Sequence, residues 1–486
     1  MPDTKKDRTK GAHYDQIGHY RPVQFCSLTD DEIALLHEAS LEIMARTGMR
    51  FYVEEALDLF KRAGADVTDG NLVRIPAHLV EWALRTAPKS ITLFDRNGRR
   101  ALSVGGYRSY FGAGSDCMHI YDLDSGQRRK AVLQDVVNGV RLVDALPNLD
   151  FVMSMYLPCD VPEERYERQQ MAVMLQESTK PIVFVGIEAA STVYAVEMAS
   201  VVAGGLEALQ RCPFVINYVN TVSAFRHNEE SVRRLLYAAE RNLPSIYAPG
   251  RTRGTLVPIT VAGGIALGNA GHLAGVVLSQ LKREGSPILG RRPGGDALDM
   301  RSMTNLYACP DAGPFAWALA QHYGLPTFGE AGCSDAKVFD AQAAGEAALT
   351  IFDNALNGVN LCHDVGYLDA AMTGSLELVA YSDEVIGWVR RYLRRLEINE
   401  ETLALDLIHE MGPDGNFIEA RHTLRHVRED WAPTLMDRNN YSRWSDQGAT
   451  TLQQRANRRV RDILENHKAE PLPAAVVEQL QEIIRR

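Results

Sequence analysis

The sequence predicts an α/β protein built around a (β/α)8 TIM barrel, a closed ring of eight parallel strands with helices outside. From Leu133 onward, short apolar segments alternate with stretches of helical periodicity. The segments are nearly uncharged, as expected of strands buried on both faces of a parallel sheet. Several follow a proline, which ends the preceding helix. Seven such units and a final strand favour a barrel, with a doubly wound open sheet as the main alternative.

Each repeat pairs a strand with a helix. The predicted strands are 150–158, 181–187, 213–219, 244–250, 287–292, 326–332, 358–366 and 375–381. The predicted helices are 133–149, 162–178, 191–204, 229–242, 263–284, 313–323 and 340–357. We therefore assign the barrel to residues 133–382.

Residues 1–132 are predicted to form an N-terminal extension of helices and a small antiparallel β layer. Residues 1–24 look like a loosely attached arm, and Thr29 caps a helix that ends at Gly48. Further helices fit 54–64 and 76–88, and hairpins turn at 97–98 and 124–126. Residues 383–486 are charged and helical, and would cover the barrel or form an oligomer contact.

Bulk composition excludes several classes of protein. The chain has 486 residues, 45% hydrophobic and 23% charged, with a net charge of −10. An acidic chain is a poor general binder of nucleic acid or of anionic membranes. We see no signal peptide and expect no membrane-spanning run of about 18 uncharged apolar residues. Seven scattered cysteines indicate a reduced, cytoplasmic protein, and without CxxC or HExxH we expect no bound metal.

In a barrel, functional side chains lie at the carboxyl ends of the strands. Tyrosines recur there beside carboxylates and amides, and aromatic faces with nearby acceptors suit a quaternary ammonium ligand. The candidate substrate-binding residues are Tyr110, Asp116, Asn217, Tyr218, Tyr247 and Tyr367. The alternative is that these residues only pack the barrel mouth.

His363 lies near the end of the seventh predicted strand, where it could orient a ligand carboxylate or move a proton. A structural histidine is the alternative. Cys333, Cys362 and His363 offer zinc-type ligands, but their spacing matches no recognised site. Lys337 could bind phosphate or form a Schiff base, although a salt-bridged lysine explains it as well.

Four stretches of the chain resemble the trimethylamine methyltransferase family of corrinoid-dependent enzymes. They are "PITVAGGIALGNAGHLAGVVLSQLKREGSPILG" at 258–290 and the segments 109–151, 334–349 and 439–484. Their shared order covers the chain from about residue 28 to its end. Members of the archaeal branch carry pyrrolysine near "GEAGCSDAK", where this chain has ordinary residues. The chain therefore resembles the branch without pyrrolysine, which demethylates quaternary amines such as glycine betaine.

The resemblance implies a barrel that transfers a methyl group from a quaternary amine to the Co(I) of a separate corrinoid protein. It suggests His363 and Asp335 as catalytic residues, and Gly332 and Cys333 as residues that face the corrinoid. One departure is Gly271, where an acidic residue is expected after Asn269-Ala270. We expect a homo-oligomer that binds a small quaternary amine. The alternatives are a zinc-dependent or uroporphyrinogen-decarboxylase-like barrel methyltransferase, and a quaternary-amine-binding barrel without catalysis.

Overall fold

The computed structural model describes residues 25–114, 116–310 and 312–486, so the arm predicted over residues 1–24 lies outside the described residues. The strands are Met49–Phe51 (β1), Asp66–Thr68 (β2), Leu72–Arg74 (β3), Ile91–Phe94 (β4), Arg100–Val104 (β5), Tyr110–Ala113 (β6), His119–Tyr121 (β7), Arg128–Lys130 (β8), Ile182–Val185 (β9), Val215–Thr221 (β10), Arg226–His227 (β11), Ser245–Pro249 (β12), Ile288–Arg291 (β13), Leu298–Asp299 (β14), Thr304–Asn305 (β15), Thr327–Glu330 (β16), Leu361–Val365 (β17), Tyr367–Leu368 (β18) and Thr373–Gly374 (β19).

Helices account for most of the remaining elements. They are Asp30–Glu42 (α1), which continues into a π-helical turn over Ile43–Thr47, Glu54–Arg62 (α2), Ala77–Thr86 (α3), Leu133–Ala145 (α4), Tyr166–Glu177 (α5), Ala189–Ala203 (α6), Leu206–Arg211 (α7), Glu229–Glu240 (α8), Val261–Lys282 (α9), Gly313–Tyr323 (α10), Ala341–Leu356 (α11), Leu376–Tyr392 (α12), Glu400–Leu403 (α13), Leu405–Met411 (α14), Arg421–His426 (α15), Tyr441–Asp446 (α16), Leu452–Asn466 (α17) and Ala474–Arg485 (α18).

A ring of parallel strands forms the centre of the protein. Seven strands are neighbours in the order β6–β17–β16–β13–β12–β10–β9. The short segment 151–152 closes the ring, because Gly112 of β6 forms a parallel bridge to Phe151, and Val152 forms one to Ile182 of β9. The predicted (β/α)8 barrel is confirmed.

Two strands differ from the prediction. The predicted final strand over 375–381 is helical: Ser375 caps α12, and its hydroxyl accepts a hydrogen bond from the backbone N of Leu378. A short apolar run does not by itself distinguish a strand from a buried helix. The strand that completes the ring is β6, which pairs in parallel with β17 although we had assigned it to the antiparallel layer. The barrel therefore begins before Leu133.

The hairpin of β4 and β5 closes the amino end of the barrel. It turns at Asn97-Gly98 as predicted, with Gly98 at a φ of 77°. The backbone N of Phe94 donates to the carbonyl of Pro213 just before β10, at 2.9 Å. Leu93 and Leu102 belong to one buried cluster with the inward-facing residues of the strands. This end of the barrel is therefore filled, and a ligand must enter at the carboxyl ends of the strands.

The predicted N-terminal helices are confirmed. Thr29 and Glu32 form a capping box at the start of α1. Strands β1, β2 and β3 form a small sheet that takes β11 as a fourth strand. The predicted turn at 124–126 is also present, between antiparallel β7 and β8. The N-terminal helices α1, α2 and α3 all contact α9, so the N-terminal extension packs against that helix.

Helix α9 is, within the described part of the chain, the one helix long and apolar enough to cross a membrane by length and composition. Residues 261–281 carry no charged side chain, so our expectation of no such run was wrong. Of the most apolar 18 residues of this helix, 83% are buried inside the protein. The helix contacts α1, α3 and α8, and its Gly271 and Gly275 lie against Ala224 and Tyr247, as expected of a core helix.

The predicted helical C-terminal segment covers the outside of the barrel. Helix α17 packs on α12 and α4, and α18 packs on α5 and α6. The carboxylate of Glu384 in α12 accepts hydrogen bonds from the backbone N of Thr434, Leu435 and Met436, at 2.6–2.9 Å. The tail is therefore attached both by apolar packing and by a buried carboxylate.

Two helical glycines test the packing around the barrel. A Cβ added at Gly275 of α9 would lie 2.1 Å from Cδ1 of Tyr247, whereas one added at Gly345 of α11 meets nothing within 4 Å. Gly275→Ala should lower the free energy of unfolding by about 1–3 kcal/mol, because the buried ring has to move. Gly345→Ala should raise it by up to about 1 kcal/mol. Urea unfolding of both variants measures the difference, and equal effects would contradict the close approach of α9 to β12.

Candidate active site

Strand alternation selects which side chains face the barrel interior. Ile216, Leu289, Phe328 and Leu361 belong to the interior cluster, so residues two positions later on the same strands also point inward. At the carboxyl ends these residues are Tyr218, Arg291, Glu330 and His363. Strands β17, β16 and β13 are neighbours and β10 is separated from them by β12, so four strands place polar and aromatic groups in one layer at the open end of the barrel.

A buried carboxylate between two guanidinium groups forms the centre of this layer. Glu330 lies 3.1 Å from Nη2 of Arg251 and also pairs with Arg291. Nη1 of Arg291 donates to the hydroxyl of Tyr218 at 3.2 Å. Buried charges are tolerated when they are paired. The Nε atoms of both arginines lack a hydrogen-bond partner, which leaves N–H donors available to a ligand.

A second polar group lies beside this cluster. The ring of His363 stacks on Phe328 with 4.2 Å between centroids, and its Nδ1 lies 2.5 Å from Oδ1 of Asp364. Burial lowers the pKa of His363 against the opposing effect of the adjacent Asp364 carboxylate, and the nearby arginines lower it further, so the imidazole is neutral. Its Nε2 is buried without a hydrogen-bond partner. This nitrogen is therefore available to a ligand.

Asp364 carries signs of a functional constraint. Its φ of 73° lies in the left-handed region, which is uncommon for residues other than glycine. Its carboxylate accepts a hydrogen bond from the hydroxyl of Tyr307. Tyr307 belongs to the long connection between β13 and α10, which includes the small hairpin of β14 and β15. This connection therefore lies over the site and covers His363 and Asp364, which are only 3% and 5% exposed.

Asp116 and Tyr367 extend the site toward β6. Burial raises the pKa of Asp116 to about 7, although its side chain accepts a hydrogen bond from Nε2 of Gln170 at 3.1 Å. The hydroxyl of Tyr367 donates to the carbonyl of Met155 at 2.8 Å. A Cβ added at Gly114 would lie within 2.6 Å of both Asp364 and Tyr367, so these side chains pack directly against the end of β6.

We call the connection between β13 and α10, which includes residues 292–310, the covering connection. The segment after β16 holds it in place. Oδ2 of Asp335 accepts a hydrogen bond from the backbone N of Ala308 at 3.1 Å. Gly332, at a φ of 68°, packs against Val365, where a side chain would be crowded. Cys333 is fully buried, and burial raises the pKa of its thiol well above the usual value. Gly332 and Cys333 thus border the site from inside the protein and have no exposed surface of their own.

Three predicted residues lie away from this site. Asn217 and Tyr247 occupy outward-facing strand positions: Asn217 accepts from the hydroxyl of Thr192 at 3.2 Å, and the hydroxyl of Tyr247 lies 2.5 Å from Nδ1 of His227. Tyr110 begins β6 at the closed end, where its hydroxyl accepts from the backbone N of Ser103 at 3.2 Å. The zinc alternative meets the same difficulty, because Cys362 and His363 are consecutive on β17 and so point to opposite faces.

Glu330, Tyr307, Arg251 and Arg291 were not among the predicted site residues. Glu330 had a readable signal, since it is a carboxylate two positions after Phe328 in an otherwise apolar strand. Tyr307 had none, because its position depends on how a connection of about twenty residues folds over the barrel. The structure therefore brings together seven side chains at the open end: Tyr218, Arg251, Arg291, Tyr307, Glu330, His363 and Asp364.

Comparison with known proteins identifies relatives along the whole chain. The family model described as trimethylamine methyltransferase (MTTB) matches residues 3–486. A glycine betaine methyltransferase of Desulfitobacterium hafniense (strain Y51) is 32% identical over 463 residues, covering 94% of this chain and 96% of that protein. The trimethylamine methyltransferase MttB of Desulfitobacterium hafniense (strain DSM 10664 / DCB-2) is 31% identical, covering 94% and 92%. The crystal structure of the hydroxylamine MtmB complex covers 91% of this chain and 95% of its own, with a TM-score of 0.48 and 13% identity.

The raised pKa of Asp116 predicts a pH dependence of stability. The unfolded carboxyl titrates near 3.8 and the folded one near 7, so the folded state holds the proton between these values. The contribution of Asp116 to stability therefore falls as the pH rises through this range. Asp116→Asn should leave the free energy of unfolding nearly unchanged at about pH 4 and raise it at about pH 8. Urea unfolding at both pH values measures this, with Asp446→Asn on the exposed helix α16 as the control; an equal effect of Asp116→Asn at both values would contradict the shift.

Proposed function

Because the chain belongs to the trimethylamine methyltransferase family, and is a methyltransferase of methylated amines, we propose that it demethylates a quaternary amine, glycine betaine or a related betaine. The methyl acceptor in this proposal is the Co(I) of a corrinoid held by a separate protein. The observation that supports the substrate is the buried layer at the open end of the barrel, which offers both carboxylates and unpaired N–H donors beside aromatic rings.

A betaine carries a quaternary ammonium and a carboxylate, so its site must satisfy both charges. The rings of Tyr218 and Tyr307 and the carboxylate of Asp364 would stabilise the cation, with aromatic faces contributing on the order of 0.5–2 kcal/mol each. The Nε–H groups of Arg251 and Arg291 would donate to the substrate carboxylate. The two ends of the layer thus match the two ends of a zwitterion.

The reaction requires little acid or base from the protein. When the C–N bond breaks, its electron pair stays on nitrogen and the leaving group is a neutral tertiary amine. A reduced corrinoid supplies the nucleophile for the methyl carbon. The residues of this chain hold one N-methyl toward the open end, exclude water, and bind the cation without trapping it. In this proposal His363 and Asp335 act by positioning: the imidazole ring of His363 packs against the substrate, and Asp335 holds the covering connection.

Substrate must pass the covering connection before it reaches the layer. The hydrogen bond of Tyr307 to Asp364 holds this connection over the buried carboxylate. We therefore propose that betaine entry replaces this bond, and that the connection then closes over the ligand. Such a closure would exclude water from the bound substrate.

The partner would approach the loops at the open end of the barrel. Large apolar side chains are exposed on the loops that follow β9, β10, β12 and β13. They are Ile187, Val222, Leu256, Ile259, Met300 and Met303. Exposed apolar groups collected on one face mark interaction surfaces. We propose that this face receives the corrinoid protein.

A homo-oligomer and a cytoplasmic location complete the proposal. Exposed apolar side chains also occur between α12 and α16, where a second copy of the chain would cover them; they include Leu396, Ile398, Ile418, Leu424 and Val427. Sedimentation velocity tests this, and a monomer would contradict it. All seven cysteines are free thiols, as suits a reducing compartment.

An anaerobic methyl-transfer assay tests the activity and the site together. Wild-type protein with a corrinoid acceptor and glycine betaine should change the corrinoid absorbance. Tyr218→Leu and His363→Ala should weaken betaine binding roughly tenfold, since each removes about 1.4 kcal/mol of contact with the ligand. Tyr247→Phe, on the outer face of the sheet, should bind betaine as the wild type does. Betaine binding without methyl transfer to any acceptor would favour a non-catalytic binding protein, and equal effects of the variants would contradict the assigned site.

The docking face has its own test. Met303 at the open end and Leu35 on α1 are both 67% exposed. Met303→Glu should raise the KM for the corrinoid protein several-fold and leave betaine affinity unchanged, because a charge opposes an apolar contact. Leu35→Glu provides the control with the same change in charge at equal exposure. If both variants respond alike, the open end is not the docking face.

A further inference from the structure

The chain between α12 and α16 has almost no core of its own. Helices α13, α14 and α15 bury no residue, and within 393–430 the buried residue is Ala420, at 7% exposure. A segment of nearly forty residues that buries so little apolar surface gains little free energy from folding. Such segments are commonly held by a metal ion or another cross-link.

Two histidines and a glutamate from separate helices meet in this segment. His422 and His426 lie four residues apart on α15, so both imidazoles project from one face, with 4.3 Å between ring centroids. Nε2 of His426 lies 2.9 Å from Oε1 of Glu401 in α13. The candidate ligand atoms of these residues all lie within 4.8 Å of one another. Residues more than twenty positions apart in the chain thus converge on one point.

A further carboxylate orients one of the imidazoles. Oε1 of Glu429 lies 2.7 Å from Nδ1 of His426. In metal sites the ligating histidine commonly donates its other ring N–H to a carboxylate, which fixes the tautomer and makes the free nitrogen a better ligand. Glu429 therefore leaves Nε2 of His426 directed at Glu401.

We propose that Glu401, His422 and His426 bind a divalent transition metal ion of the zinc class, which joins α13 to α15. Imidazole and carboxylate are suitable ligands for such an ion, and three protein ligands leave one tetrahedral position for water. With bonds of about 2.0–2.1 Å, neighbouring ligand atoms lie roughly 3.3 Å apart, which small side-chain movements reach from the observed spacing. The site is remote from the barrel interior and does not depend on the proposed activity.

Arg425 contacts one of the proposed ligands and so competes with the metal ion. Nη1 of Arg425 lies 2.8 Å from Oε1 of Glu401 and would have to give up this contact when the metal binds. His426 donates hydrogen bonds to the carboxylates of Glu401 and Glu429, which raise its pKa, so metal binding also displaces a proton. Arg425→Ala should therefore tighten metal binding several-fold, whereas a purely electrostatic cluster would simply loosen.

Metal analysis of the full-length protein tests the proposal. The protein is treated with a chelator, dialysed and titrated with Zn²⁺ or Co²⁺. We expect one ion per chain, visible d–d absorption of the Co²⁺ form typical of four-coordination, and slower proteolysis of the segment 393–430. His426→Ala and Glu401→Gln should each lower affinity at least tenfold, in line with the loss of one ligand. His409→Ala, at an exposed histidine of α14, should retain the wild-type affinity.

Several outcomes would overturn the metal site. Less than about a tenth of an ion per chain would do so, as would full binding by the double variant His422→Ala/His426→Ala. A Co²⁺ spectrum of a six-coordinate, water-rich ion that His409→Ala also weakens would indicate adventitious binding. Glu401→Gln preserves side-chain size, so its effect on affinity remains interpretable even if a histidine variant fails to fold.

Discussion

The carboxylate of Glu330, buried between Arg251 and Arg291, is the interaction on which the open end of the barrel depends. Removing one member of such a buried ionic group leaves an uncompensated charge, which costs about 3–5 kcal/mol. Glu330 therefore fixes both guanidinium groups, and Arg291 in turn fixes the hydroxyl of Tyr218. The group stabilises a polar layer in a place that would otherwise be filled by aliphatic side chains, and the layer gives the barrel a site with two kinds of charge.

The covering connection turns this layer into a closed site. Tyr307 attaches it to Asp364, the backbone N of Ala308 attaches it to Asp335, and residues 295–298 hydrogen-bond to Arg253. The carboxylate of Asp364 lies in β17, and that of Asp335 lies in the segment after the neighbouring strand β16. The strained backbone of Asp364 is tolerated because His363, Tyr307 and the end of β6 surround it. Binding of substrate and docking of a partner would therefore act on the same few hydrogen bonds.

The closed end and the outer layers have a different role. The hairpin of β4 and β5 fills the barrel from below, and α9 is packed so closely that β12 can place Tyr247 against a glycine. Rigid packing there leaves movement to the loops of the open end. The C-terminal segment combines firmly packed helices with the stretch 393–430, which buries almost no side chain. The stability of this stretch therefore depends more on its polar contacts than on a core.

The barrel, the N-terminal helices and hairpins, and the family could be predicted from the sequence, because they follow from local periodicity, capping residues and the order of similar stretches. The positions of Tyr218, His363, Asp116 and Tyr367 at the open end were predicted as well. The remaining features depend on how the chain packs. Side chains alternate between the two faces of a strand, so the exact start of each strand decides that Tyr218 points into the barrel while Asn217 and Tyr247 point outward. A short apolar run such as 375–381 fits a helix as well as a strand. Tyr307 reaches Asp364, and Glu401 reaches His426, only through contacts between distant segments, and no local pattern records such contacts.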